Sequence, residues 1–154
     1  MKVIVNTSPM IALDRIGLLH ILPKLFGRVI RPQAVVDELY AGKSIYGGSE
    51  SIFDGDWIDL YPNPKEMILR KELGAGETAV IALALKLNAD LIILDDLAAR
   101  NVANGLNIKL TGTLGIILAA HKKGILPEIT AAINDLQSCG FRISSDLINK
   151  LINQ

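Results

Sequence analysis

Short, mostly aliphatic runs alternate along this chain with longer stretches in which apolar positions recur every three or four residues. The runs are 3–5, closed by Asn6; 28–30; 91–94, the clearest of them; and 108–110. A run without regular polar alternation suits a strand covered on both faces. Residues 57–60, Trp-Ile-Asp-Leu, alternate instead, and Pro62-Asn63-Pro64 closes them. Helix patterns fill the intervals. Ser8 and Pro9 predict a helix start, as cap and first-turn residue, with Ile11, Leu13, Ile16, Leu18 and Leu19 as its apolar side. Pro32 is expected to open the next helix and Gly42 to stop it. From Lys43 to Asn63 the pattern weakens, and within it Gly47-Gly48-Ser49-Glu50 and Asp54-Gly55-Asp56 read as loop. A helix is predicted near 65–73, broken by Gly74-Ala75-Gly76, and a nearly all-apolar one over 78–87, stopped at Asn88. Others are expected over 97–104, ended by Gly105; over 114–122, after a Gly112-Thr113 turn and before Gly124; and over 127–138 and 146–153, separated by Gly140. Strands alternating with helices predict an α/β fold, a parallel sheet of about five strands in one domain spanning 1–154.

Composition narrows the class. Half the residues are hydrophobic and only 5% aromatic, a palette of Ile, Leu, Val and Ala that suits a sheet covered by helices. Sixteen basic residues balance sixteen acidic ones, so net charge gives no sign of a nucleic-acid partner, although a local patch could carry one. Cys139 is the single cysteine, which excludes an internal disulfide and a zinc-finger spacing; it reads as a small filler near a helix end. The N-terminal run does not resemble a signal peptide. No apolar stretch approaches the roughly 18 residues of a membrane span. The expectation is a cytoplasmic protein of bacterial or archaeal type with no membrane association.

The chemistry gathers at strand ends. In open parallel sheets the ligand crevice lies beyond the carboxyl ends of the strands. Asn6 follows the first strand, Glu38 lies on an early helix, Glu77 heads the apolar helix and Asp95-Asp96 follow the run 91–94. Acids converging there either repel one another or hold a divalent cation. Each has an ordinary structural account. Asn6 suits a turn, its side chain bonding nearby backbone. Glu77 suits a helix start, favoured by the macrodipole. Asp37 and Glu38 flank the buried stripe almost symmetrically, and either could reach the crevice. Adjacent acids cannot share one face of a strand, so one of Asp95 and Asp96 is expected in the crevice and the other as a cap. Thr7 and Ser8 read as cap residues. Thr111 and Thr113 flank Gly112; capping explains Thr113, and a hydroxyl orienting water or phosphate is the functional alternative. Arg100 could contact a phosphate near the crevice. His20 and His121 read as structural.

Taken together, the segments VIVNTSPMIAL at 3–13, RPQAVVDEL at 31–39, GAGETAVIALAL at 74–85, LIILDDLAAR at 91–100 and LTGTLGIIL at 110–118 resemble a PIN domain, the metal-dependent nuclease fold of VapC-like toxins. They are particularly similar to the prokaryotic PIN-like subgroup that opens with Asn-Thr-Ser-Pro. The resemblance implies a three-layer fold with a short parallel sheet between helices. It implies a site at Asn6, Glu38, Glu77, Asp96 and a hydroxyl at Thr111 or Thr113, of which Thr113 is taken. Asn6, Glu77, Asp95 and Asp96 are the metal-ligand set, with Mg²⁺ or Mn²⁺ as cofactor. The family places an acid where Asn6 stands, so the site is expected to be weakened by one negative charge. The Glu-Leu context favours Glu38 over Asp37.

On this basis the expected function is a divalent-metal-dependent ribonuclease acting on RNA, in the role of a toxin restrained by an antitoxin protein. The alternative is a catalytically silent PIN-like domain that binds nucleic acid or a protein. A homodimer is expected, with the apolar segments 125–133 and 147–152 as its surface. A phosphoryl-accepting receiver fits poorly, because Asn6-Thr7 stands where an acidic pair belongs. A dinucleotide-binding domain fits poorly too, because Asn-Thr-Ser-Pro lacks the glycines of that turn.

Overall fold

The computed structural model describes residues 1–67 and 70–152. Five strands form one parallel sheet: β1 (Val3–Val5), β2 (Val29–Pro32), β3 (Ile58–Tyr61), β4 (Leu91–Ile93) and β5 (Leu110–Thr111). Their spatial order is β3-β2-β1-β4-β5, with Ile4 level with Ile30 on one side and Ile92 on the other. Of the aliphatic runs predicted as doubly covered, the central ones are so: Val3, Ile4, Val5, Ile92 and Ile93 are wholly buried, whereas the run 108–110 lies at the edge strand β5 and is only partly covered, with Lys109 exposed. The alternating run became the edge strand β3, where Leu60 is exposed.

Ten helices surround the sheet among the described residues: α1 (Thr7–Arg15), α2 (Ile21–Phe26), α3 (Gln33–Ala41), α4 (Lys43–Tyr46), α5 (Glu50–Asp54), α6 (Ala75–Leu87), α7 (Leu97–Gly105), α8 (Thr113–Lys122), α9 (Ile129–Ser138) and α10 (Ser145–Ile152). One layer centres on α6, which packs on β1, β2 and β4 and against α3 and α7. The other centres on α8, packed against α1, α2 and α9. The three-layer α/β expectation therefore holds. The apolar girth of α6 follows from its place, since Thr78, Ala79, Val80, Ile81, Leu83 and Ala84 are all buried. Asn88 ends it in the left-handed conformation, φ 50°, which asparagine tolerates better than most residues.

Several local expectations change. Helix α1 starts one residue before Ser8, with Asn6 at the cap position, and Pro9 is buried inside its first turn. Pro32 ends β2 and precedes α3 instead of opening it. Gly74 is the cap residue of α6, and Ala75 and Gly76 lie within that helix, so the Gly-Ala-Gly segment starts a helix rather than only breaking one. No described residue of the stretch 65–73 is helical; residues 68 and 69 lie outside the described residues. Cys139 follows the end of α9 but is exposed, so it fills nothing. Most of the apolar content of 125–133 is spent inside the chain, where α9 buries Ile129, Ala132 and Ile133.

The weakly patterned stretch from Lys43 contains α4 and α5, and α5 takes in Glu50 and Asp54 from the two segments expected as loop. Arg31 accounts for α5. This arginine of β2 is buried, and its guanidinium donates to the carbonyls of Ile52 and, at 2.6 Å, of Phe53. Both carbonyls lie in the last turn of α5, where intrahelical partners run out and a cation is favoured. Burial pushes the Arg31 guanidinium below its usual value. Arg28, just before the same strand, instead forms a bidentate pair with Asp59 of β3, which is exposed and screened by solvent. Replacing Arg31 by Ala should lower the unfolding free energy by about 2–4 kcal/mol, since two carbonyls lose their donor and the stem leaves a void. Urea denaturation checks this, and a loss under about 0.5 kcal/mol, the size of an ordinary surface change, would refute the role given to Arg31.

Candidate functional site

The order β3-β2-β1-β4-β5 sets the location of the site. The chain leaves β1 toward β2 and β3 on one side, then returns across α6 to β4 and β5 on the other. The switch falls between β1 and β4, and beyond their carboxyl ends stand Asn6 and Asp96. The Asn6 N–H still continues the ladder, donating to Ile93 O at 3.0 Å. Its side chain is then carried past the sheet. Asn6 is 3% exposed, and its Oδ1 has no hydrogen-bond partner. The turn-type bond expected of this residue is therefore missing. Such an orphan costs about 1–3 kcal/mol.

Glu38 reaches the same place from α3. Its half-buried position and the exposure of Asp37 settle the pair left open by spacing. Thr7 donates to Glu38 Oε1 at 2.7 Å. This hydroxyl was expected to cap a helix; it orients a carboxylate instead, and nothing in the local sequence distinguishes the two uses. Glu77 stands at the head of α6, where its Oε2 accepts from Gly74 N at 2.6 Å. The helix-start account of Glu77 is thus correct, and it leaves the crevice account standing. Burial, and after it the charges of Asp96 and Glu38, push the Glu77 carboxyl above its usual range, against the opposing pull of the Gly74 N–H.

Asp96 caps α7, its Oδ2 accepting from Ala99 N at 3.0 Å, and it remains exposed on the crevice side of Glu77's field. Asp95 points elsewhere. Its two oxygens accept from Thr113 N at 2.8 Å and Thr113 Oγ1 at 2.5 Å. The division of labour expected for the adjacent acids therefore differs in detail: Asp96 both caps and faces the acids, while Asp95 ties β4 to the start of α8. Thr113 is wholly buried in that tie and acts on Asp95. His121 Nδ1 lies 2.9 Å from Leu126 O, a structural contact as expected.

Gly76 makes the gathering feasible. A Cβ at this position would collide with Glu38 Oε1 and lie 3.1 Å from Asn6 Oδ1. At Gly74 a Cβ would lie 2.6 Å from Glu77 Oε2 and 3.9 Å from Glu38 Oε2. The Gly-Ala-Gly segment thus lets two glutamates and the amide share one small space.

The family model of the PIN domain matches residues 2–154. The chain belongs to the PIN-domain family. Among solved structures, a PilT N-terminus domain protein of the hyperthermophilic archaeon Sulfolobus solfataricus is similar to this PIN domain, with a TM-score of 0.60 at 16% identity. The match covers 78% of this chain and 93% of that one, a likeness of fold. No curated protein matches the sequence.

As a donor set, the PIN-domain crevice offers hard oxygens: the Asn6 amide and the carboxylates of Glu38, Glu77 and Asp96. Those donors suit Mg²⁺ or Mn²⁺. The fit is in the unpartnered Oδ1 and the strained ionisation of Glu77, both of which a cation would relieve. Among the described residues no three His, Cys, Asp or Glu side chains stand close enough to form a metal-binding group by themselves, so the amide and coordinated water would have to complete any set.

Two outcomes follow from this geometry. Gly76→Ala should leave thermal stability within about 1 kcal/mol of the parent, because the mobile Glu38 tip gives way and alanine favours the helix. The Thr7–Glu38 bond should be lost, as a crystal structure of the variant would show; an unmoved Glu38 would refute the packing argument. The second concerns pH. A carboxyl raised on folding binds its proton more tightly in the native state than in the unfolded one. Its contribution therefore falls as pH rises from the ordinary carboxylate range through the raised value. Without metal, the melting temperature of Glu77→Gln relative to the parent should climb between about pH 4 and pH 7. A difference that stays flat would contradict the burial of charge at Glu77.

Proposed function

We propose that the crevice hydrolyses RNA phosphodiesters with Mg²⁺ or Mn²⁺ held by Asn6, Glu38, Glu77 and Asp96. The observation that carries this reading is the buried, unpartnered Asn6 Oδ1 beside carboxylates, where burial, and after it the charges of Asp96 and Glu38, disfavours Glu77 ionisation. Each of the three acids is fixed by a hydrogen bond to one oxygen, from Thr7 to Glu38, from the Gly74 N–H to Glu77 and from the Ala99 N–H to Asp96. Each therefore has a second oxygen to present, already oriented. When bound, the divalent ion activates water and offsets charge on the scissile phosphate. The chain's own part is to position that ion and to hold the acids at a distance that leaves them unneutralised by any basic side chain. No protein nucleophile is needed. Asn6 removes one charge from the set, so affinity should be low and Mn²⁺ favoured. The toxin of a toxin–antitoxin pair, acting as a homodimer, is the finer form of this reading. A small antitoxin-like reading frame immediately upstream would favour it.

A second reading has its own support. With the Asn6 amide turned over, its N–H would face Glu38, a ready acceptor, and the crevice would need no cation. That arrangement suits a silent PIN domain that binds nucleic acid or a protein partner.

Labelled RNA incubated with Mg²⁺ or Mn²⁺ separates the two. Glu77→Gln and Asp96→Asn keep the capping acceptors, so both variants should fold. Metal-dependent cleavage by the parent should fall at least about 100-fold in each, and Asn6→Asp should increase it. Equal cleavage by parent and variants would place the activity outside this crevice. Absence of cleavage in the parent and in Asn6→Asp, at excess metal, would leave the silent reading.

A further inference from the structure

A second pocket, of about 440 Å³, opens on the other side of Asp95, between the end of β5, the start of α8 and the segment leading into α10. Its volume falls in the range of small-ligand sites. Its lining is apolar at Leu118 and Phe141, and includes two arginines, Arg100 and Arg142, together with Thr111 and Ser144. Neither arginine is ion-paired among the described residues, where the one salt bridge joins Arg28 and Asp59. Asp95 lines the same pocket; its carboxylate takes both donors of Thr113 and keeps its charge, so two guanidinium groups stand against one acid there and the balance is positive. A Cβ at Gly112 would lie 2.7 Å from Asp95 Oδ1 and 3.0 Å from Arg100 Nη1, so the glycine leaves both side chains their place over the backbone. The pocket thus pairs an aromatic and aliphatic wall with unspent bidentate cations, one residue away from Asp96 of the acidic crevice.

We propose that this pocket receives one nucleotide of a single-stranded RNA, its base against Phe141 and its phosphate on Arg100 and Arg142. Stacking on an aromatic face and bidentate contact to phosphate are the two contributions by which unpaired RNA is held. The inference rests on the reading of that crevice as an RNA site, and it supplies the cations that the acids themselves cannot.

Equilibrium binding of a fluorescein-labelled single-stranded RNA, followed by anisotropy with Ca²⁺ in place of Mg²⁺ or Mn²⁺, tests it. Arg100→Gln and Arg142→Gln should each weaken binding, and together lower the slope of log affinity against log salt by about 0.7, the value for one phosphate contact to a single strand. Phe141→Leu keeps the apolar volume and should weaken binding about 5-fold or more with the slope unchanged. Lys123→Gln, at the far end of α8, should change neither. Thermal melts establish that each variant is folded. Equal losses in all four variants, or none in the arginine variants, would overturn the pocket while leaving the crevice reading intact. Failure of the parent to bind RNA would overturn both. The expected pattern in a chain that cuts no RNA would support the pocket and sink the nuclease. Self-association lost in Arg100→Gln, with RNA affinity unchanged, would make this face a protein interface and overturn the proposal.

Discussion

The constraint on which the rest depends is the position of β1 at the centre of a parallel sheet, with successive strands added first on one side and then on the other. A central strand covered on both faces has to be aliphatic, and Val3, Ile4 and Val5 satisfy that. The direction of chain addition reverses between β1 and β4, which opens a crevice at their carboxyl ends. Whatever residue follows β1 is delivered into that crevice by the ladder itself, as the Asn6 N–H bond to Ile93 shows. The acids from α3 and α6 then arrive from the layer that covers β1. The site is a product of the winding, and the helices α3 and α6 pack against each other where both lie on β2.

The fixing bonds have a common design. Glu77 and Asp96 are each held by a backbone N–H at the start of a helix, so the groups that terminate the helices also aim the carboxylates. Glu38 has no such helix start to use and takes the Thr7 hydroxyl instead. Capping and site formation are the same hydrogen bonds seen from two sides. This is why the structural and functional accounts of Glu77 do not compete.

The strands, their parallel alternation with helices and the positions of Glu77 and Asp96 were legible in the sequence because unbroken aliphatic runs and helix-start signals are local patterns. The choice of Glu38 over Asp37 was not legible from spacing, since both flank the buried stripe, and needed either family context or the packing of α3. Thr7 was misread because its partner lies thirty-one residues away. Helices α4 and α5 were missed for a similar reason: their glycine-rich flanks predict loop, and α5 is held by an arginine from β2. The role of Asp95 depended on where β5 delivers Thr113, which no single stretch of sequence reveals.

Gly76 carries one more implication. Most single-base changes in a glycine codon install a side chain, and at this position the added carbon lands where Glu38 and Asn6 meet, while the backbone around it remains an ordinary helix. With alanine, which one base change supplies, loss of the crevice is therefore a one-step event that spares the fold. Descendants of such a chain could persist as intact scaffolds, open to recruitment for roles that need the shape of the domain and none of its charge.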